Sequence, residues 1–374
     1  MKKRKYISKF HEGDFWLIVT TLALSLFGLI MVFSASYYTG LSKYSDALYY
    51  LKQNVVWVAG GWVVFLVFAA VDYHFLKKLA PVILGIGFVL LCLIFTPMGI
   101  TINNATRWLD FKIFTVMPGE VIKFCMIVFI ASFYSKDKNL INKPVSGILP
   151  VFGISLAAFL LIFRQPNFST AGIVLMLCIC MMIAAGLYWR WIIVGGGLVL
   201  GAGVGLFLFK GSEYMAARLD KFWDPFANYL GKGYQVAQSL IAFGSGGVFG
   251  IGMGKSVQKA LYLPEPMNDF ILPIIGEELG FVGVVCLIIV YIILIWRLFM
   301  VSINAKDRFG MLLAAGVAIH IGLQVIINIA VVTASFPPTG VVLPLISLGG
   351  TASLLIMGEL GIAYNVSRQT EVDI

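Results

Sequence analysis

Carboxylates set in an apolar chain are the residues best placed to do chemistry here, and Asp269 leads them. It closes the stretch Tyr262-Leu-Pro-Glu265-Pro-Met-Asn-Asp269, after which the sequence turns apolar. A partly desolvated carboxylate titrates nearer neutrality and suits a general base. One at the first turn of a helix equally suits an N-cap. Residue type alone leaves both readings of Asp269 open. Glu277 and Glu278 follow about two turns deeper, roughly 12–14 Å along a helix, where structural pairing is the expected role. In Pro118-Gly-Glu120-Val-Ile-Lys123 the two charged residues stand at i,i+3 within an apolar run, the spacing of a local ion pair. Arg107 suits a phosphate and its neighbour Trp108 a membrane interface. Arg218 and Arg164 are further cations for an anionic ligand.

Two glycine- and proline-rich stretches accompany these residues. Gly233 to Gly247, followed by Gly250-Ile-Gly-Met-Gly254, reads as a short amphipathic helix over Tyr234 to Phe243 that ends in turns. Its glycines serve packing and turns, or else offer backbone amides to a lipid-linked diphosphate. No strand precedes them, which argues against a nucleotide fold. The second stretch, Phe336-Pro-Pro-Thr-Gly340 with Pro344 to Thr351, breaks one apolar run and opens the next. Such interruptions need protein or a solvated cavity around them.

The elements that must position these residues are membrane helices. Of 374 residues, 60% are hydrophobic and 12% charged, about half the charge of a soluble domain. The pattern predicts an all-α, polytopic membrane protein forming one domain. Its spans fall at about 15–35, 53–71, 79–96, 117–134, 146–164, 168–187, 190–209, 269–297, 309–333 and 342–366. The first is read as a retained helix, because no small-x-small cleavage site follows it. Ten spans place both termini on one side. The loops on that side carry fifteen Lys and Arg, against five in the short loops opposite, so both termini are expected in the cytoplasm. The long polar loop at about 210–268, between the seventh and eighth spans, is then extracytoplasmic. Its aromatic residues argue for folding back onto the bundle.

The net charge of +9 lies mostly in short loops and so reports orientation, not nucleic acid. All five cysteines fall in apolar runs, without metal or disulfide spacing. His320 lies in a span and is expected to hydrogen-bond between helices.

In combination and order these motifs resemble the SEDS family (shape, elongation, division and sporulation). The resemblance runs from Phe33-Ser-Ala-Ser36 through Arg107-Trp108, Pro118 to Lys123, Asp224-Pro225, Gly233 to Gly254, Tyr262 to Glu265, Asp269-Phe-Ile and Glu277 to Gly280. It closes with Pro338 to Gly340 and Gly349-Gly350. It implies ten helices with cytoplasmic ends and the polymerisation of lipid II into glycan strands. It also implies a class B penicillin-binding protein as partner, in a bacterial cytoplasmic membrane whose lipids surround the chain.

By motif position Asp269 takes the family's catalytic role, and Glu120 and Lys123 match polar residues of its central cavity. Arg107 and Arg218 are inferred contacts to the diphosphate. Gln235, Ser239 and Lys255 complete the expected substrate-binding set. A divalent cation, magnesium or manganese, would assist the leaving group, although no ligand cluster marks a site. The chain departs from the family at Asn167, where a carboxylate is usual, at Ser169, at Met267-Asn268 and at Thr351-Ala352. These departures suggest a divergent member of division or sporulation type. A lipid flippase and a non-catalytic scaffold for a transpeptidase are the rival readings.

Overall fold

The computed structural model describes residues 12–102, 105–112, 114–191, 193, 225–226 and 233–370. Helices dominate, in the order α1 (Phe15–Tyr44), α2 (Tyr49–Ala70), α3 (His74–Leu93), α4 (Pro118–Tyr134), α5 (Leu149–Phe163), α6 (Phe168–Ala184), α7 (Tyr234–Gly246), α8 (Ile271–Ile303), α9 (Arg308–Val332) and α10 (Gly350–Ser367). All but α7 correspond to expected spans, whereas the span at about 190–209 lies almost wholly outside the described residues. Among the described residues, six candidate spans are long and apolar enough to cross a bilayer on length and composition alone. Large apolar side chains such as Val56, Val63 and Leu66 of α2 and Val82, Ile86 and Val89 of α3 point outward. In water that surface would drive association; in hydrocarbon it is the proper exterior.

Polar side chains tie the helix ends together. At one end Asp14 caps α1, accepting from the Leu17 N–H at 3.1 Å, and also accepts from Arg297 Nε of α8 at 2.9 Å. Nearby, Tyr73 donates to Asp307 at 2.6 Å, and Asp307 caps α9. Asn365 of α10 donates to the Ala69 carbonyl at 2.7 Å and accepts from the Tyr73 N–H at 3.1 Å. Each of these groups sits where a chain reversal would otherwise leave backbone or charge unpaired.

The opposite end is more elaborate. Three short strands, β1 (Gly99–Ile102), β2 (Ala105–Asp110) and β3 (Thr115–Val116), form an antiparallel meander between α3 and α4. Ile100 pairs with Trp108, and Leu109 with Val116. The fold is helical, as expected, and this small sheet is a minor addition to it. The sequence signal for it was the Asn103-Asn104 pair between two short runs of β-forming residues. The tenth span also begins later than expected, at Gly350 and not 342, because residues 334–349 run as turns and irregular chain through Pro337, Pro338 and Pro344.

The most consequential irregularity is inside α8. Gly280 has φ 70° and ψ −170°, which breaks the helix nine residues after its start. In an unbroken helix the N–H groups of residues 281 and 282 would bond to the carbonyls of 277 and 278. Here Phe281 donates to the Gly247 carbonyl at 2.9 Å and Val282 to that of Val248 at 3.1 Å. The freed carbonyls of Glu277 and Glu278 accept from Ile251 at 3.0 Å and Gly252 at 3.1 Å. The turn after α7 thus completes the hydrogen bonding of the broken helix. A Cβ at Gly250 would lie 2.1 Å from the Glu278 carbonyl oxygen, and one at Gly280 2.2 Å from the Gly250 nitrogen. These glycines therefore serve close backbone approach, and the Ile251 and Gly252 amides of the turn are committed to α8, leaving neither for a diphosphate.

Gly280→Ala should lower the thermal unfolding midpoint of the detergent-solubilised protein. A side chain in this backbone region alone costs about 1–3 kcal/mol, and the steric contact adds to it. An unchanged midpoint would show that the break can rearrange freely.

Candidate active site

Asp269 stands just before α8, at the end that carries the sheet. The N-cap position belongs to Phe270, which makes no side-chain cap bond, so Asp269 does not take the N-cap role that its residue type allowed. Asp269 is partly buried, in a segment whose Met267 and Phe270 are buried. Among the described residues no cation and no donor from another residue touches its carboxylate. Desolvation pushes that carboxyl up to about 7, its own backbone N–H opposes the shift, and the nearby Glu265 charge adds to it. Loss of water outweighs stabilisation of the anion by the α8 N-terminus. The result is a carboxylate able both to take and to release a proton near neutrality.

The segment bearing Asp269 is fastened from three sides. Asn328 of α9 donates its one amide group to the Asp269 carbonyl and to the Val341 carbonyl, each at 2.8 Å. The Leu348 N–H donates to the Met267 carbonyl at 2.9 Å. Gln235 of α7 donates to the Pro264 carbonyl at 3.4 Å, so its observed role is to steady this segment. Asn328 was missed by sequence reasoning; a buried amide in a span was its only signal.

A second layer anchors the loop ahead of it. Lys259 Nζ bonds Glu278 at 2.6 Å and Ser34 Oγ of α1 at 2.9 Å, with all three side chains buried. Glu277 accepts from the Ser256 hydroxyl, from the Val257 N–H at 3.0 Å and from the Gln258 N–H at 3.3 Å. The two glutamates therefore have the structural role expected of them, holding residues 256–259 against the broken helix. Lys255, expected to bind substrate, is exposed; the lysine that does buried work in this segment is Lys259.

The cationic candidates divide by location. Arg107 donates through Nη2 to the Pro166 carbonyl, and its Nη1 lies 3.9 Å from where a Cβ at Gly340 would be. Its Nε is buried without a partner among the described residues, and desolvation lowers its pKa. Gly340 adjoins Val341, whose carbonyl shares the Asn328 amide with Asp269. Arg107 and Asp269 are thus tied to one connected patch at the same end of the bundle. Glu120 and Lys123 form the i,i+3 ion pair at 2.7 Å, both buried, with Gln324 of α9 at 3.4 Å from Glu120.

Ser239 is corrected: it is fully buried, and its hydroxyl donates to the Val332 carbonyl at 2.6 Å, joining α7 to α9 instead of facing a ligand. Arg218 lies outside the described residues. Asn167, where the family has a carboxylate, is the N-cap of α6 and accepts from the Thr170 N–H at 3.4 Å, so the cap survives without the charge. His320 pairs with Glu359 of α10 at 2.8 Å, the interhelical bond expected of it.

A family model described as "Cell cycle protein", covering FtsW, RodA and SpoVE, matches residues 15–372. The chain is 36% identical over 356 residues to stage V sporulation protein E of Bacillus subtilis, covering 95% of this chain and 97% of that protein. It is 34% identical over 377 residues to a probable peptidoglycan glycosyltransferase FtsW of Coxiella burnetii, covering 99% and 100%. Among solved structures, the rod-shape-determining protein RodA of Thermus thermophilus is similar with a TM-score of 0.70 at 25% identity, over 96% of this chain and 98% of that one. A chain of a peptidoglycan synthase complex shares the fold at a TM-score of 0.79 and 24% identity, over 96% and 99%.

Lys259→Met should destabilise the protein by about 3–5 kcal/mol, because it strands Glu278 as an unpaired buried charge. Adding Glu278→Gln should recover much of that loss. Unfolding midpoints of the single and double variants measure both, and equal losses would show that the pair is not coupled.

Proposed function

Because the chain belongs to the FtsW/RodA/SpoVE (SEDS) family, we propose that it is a peptidoglycan glycosyltransferase that joins lipid II units into glycan strands, with Asp269 as the general base. The observation that carries the residue assignment is a desolvated carboxylate without a cationic partner among the described residues, held in place through its own backbone by Asn328. Asp269 accepts the proton of the acceptor sugar's 4-hydroxyl as that oxygen attacks the anomeric carbon of the donor. The bond from that carbon to the diphosphate breaks, and its electron pair leaves with undecaprenyl diphosphate. One displacement inverts the anomeric configuration.

Arg107, whose charge meets no carboxylate among the described residues, is placed to oppose the charge growing on the diphosphate. Lysine could not offer the same planar fork of donors. Among the described residues no group of three His, Cys, Asp or Glu forms a metal cradle. No step is assigned to a divalent cation.

The charge distribution between loops supports cytoplasmic termini, which puts Asp269 and the sheet at the outer face of the membrane. There the reaction meets its lipid-linked substrate, with a class B penicillin-binding protein as the transpeptidase partner.

Purified protein, with and without the partner, should polymerise lipid II, and Asp269→Asn should reduce the rate by at least about 10²-fold. The sign of the pH effect follows from the base role. The anion is the active form, and with a carboxyl near 7 only about one-tenth is ionised one pH unit below. The rate should therefore rise about tenfold from pH 6 to a plateau above pH 8. Undiminished polymer from Asp269→Asn would remove Asp269 as the base. No polymer from the wild type, even with the partner, would favour a scaffold or a lipid flippase.

A further inference from the structure

Away from Asp269, a cavity of about 350 Å³ opens where the end of α3, the first two strands and the turn between α5 and α6 meet. Arg164 and the hydroxyls of Thr96, Thr101 and Thr106 line it, together with Gln165 and Pro166. No Asp or Glu does. Arg164 is exposed; its backbone N–H donates to the Leu160 carbonyl at 3.1 Å, and its side chain makes no salt bridge or hydrogen bond among the described residues. It therefore offers all five guanidinium N–H donors. Thr101 and Thr106 share one hydrogen bond at 2.7 Å, which uses one of their two hydroxyl protons and leaves the other free to donate. Thr96 is occupied, donating to the Leu93 carbonyl at 2.6 Å. The free donors of this cavity are thus those an anion needs, with no fixed negative charge to oppose it.

The surroundings identify the kind of anion. Phe95, exposed and itself lining the cavity, continues the lipid-facing surface of α3. Phe163, directly before Arg164, is exposed and meets exposed Phe168 edge-on with ring centres 4.8 Å apart. Below them Val89 and Ile86 of α3 and Leu160 and Leu156 of α5 are also exposed. A cationic, hydroxyl-lined cavity above an apolar wall matches an amphiphile with an anionic head and a hydrocarbon tail. A freely diffusing anion would gain nothing from that wall.

We propose that this cavity binds the phosphate head of a membrane lipid, with Arg164 as the principal contact and the tail lying along α3 and α5. The pocket is distinct from the Arg107 side of the structure. Pro166 separates the two, since its carbonyl is held by Arg107 while the residue itself lines the Arg164 cavity. The assignment rests on the chain being a membrane protein and not on glycosyl transfer.

The test uses the full-length protein in detergent, with bound lipid counted by native mass spectrometry. Undecaprenyl diphosphate, phosphatidylglycerol and inorganic diphosphate are the three probes. Arg164→Gln should weaken lipid binding by about tenfold or more, the value of a charge-assisted contact. Arg164→Lys should retain most of it, and the same loss should appear in an Arg107→Ala background. Whichever lipid shows the Arg164-dependent loss is the source of the phosphate. Lipid binding that is equal in wild type and Arg164→Gln would overturn the proposal. So would inorganic diphosphate binding as tightly as either lipid, because the tail would then contribute nothing. The Arg164 side chain has no partner to lose among the described residues, so an unchanged unfolding midpoint is expected and separates lost binding from lost folding.

Discussion

Everything at the functional end depends on a helix that breaks where unpaired backbone is costly. Each unsatisfied N–H or C=O in hydrocarbon costs several kcal/mol, and the Gly280 break frees two of each. The turn of residues 247–252 supplies the matching two acceptors and two donors. That exchange fixes the glycine-rich turn against α8, and with it the direction in which the chain runs toward Asp269. A break without that turn would be a defect, and the turn without the break would have nothing to bind.

Buried charge follows the same logic one level out. Glu277 and Glu278 flank the break, and burying them alone would be prohibitive. They are matched by Ser256, two backbone amides, Lys259 and Ser34. Such a network adds little net stability compared with an apolar core. What it contributes is register, because α1, α8 and the loop are joined at one place. With the loop locked, Asn328 and the Leu348 N–H need only hold a short segment to set the position of Asp269. The structure therefore spends its buried partners on backbone and on the two glutamates, and leaves the Asp269 carboxylate without any from another described residue. With no partner to favour the anion, burial raises that carboxyl.

Two arginines stand close together at the end of the bundle that carries the sheet. Arg107 and Arg164 bracket Pro166, one held by its carbonyl and the other lining the cavity beside it. Neither makes a salt bridge among the described residues. No described carboxylate therefore competes for either guanidinium, which is the condition the two proposed anion contacts need. The small sheet places both, since it carries Arg107 and contributes Thr101 and Thr106 to the cavity.

The sequence by itself determined the membrane class, the placement of most helices and the interest of Asp269. Those conclusions rest on local quantities: the length of apolar runs, the cost of intramembrane charge and the distribution of basic residues between loops. The i,i+3 pairing of Glu120 with Lys123 was legible for the same reason, as both lie on one helix. Only the tertiary structure decided the rest. Whether Asp269 capped a helix depended on where α8 began. Whether Gly250 met a ligand or a backbone depended on a partner near residue 280, and Ser239 lost its expected role to a carbonyl on α9. Asn328 acquired its role because the segments at 269 and 341 converge on one amide. Contacts between residues far apart in the chain set partners, burial and electrostatics, and no local pattern contains them.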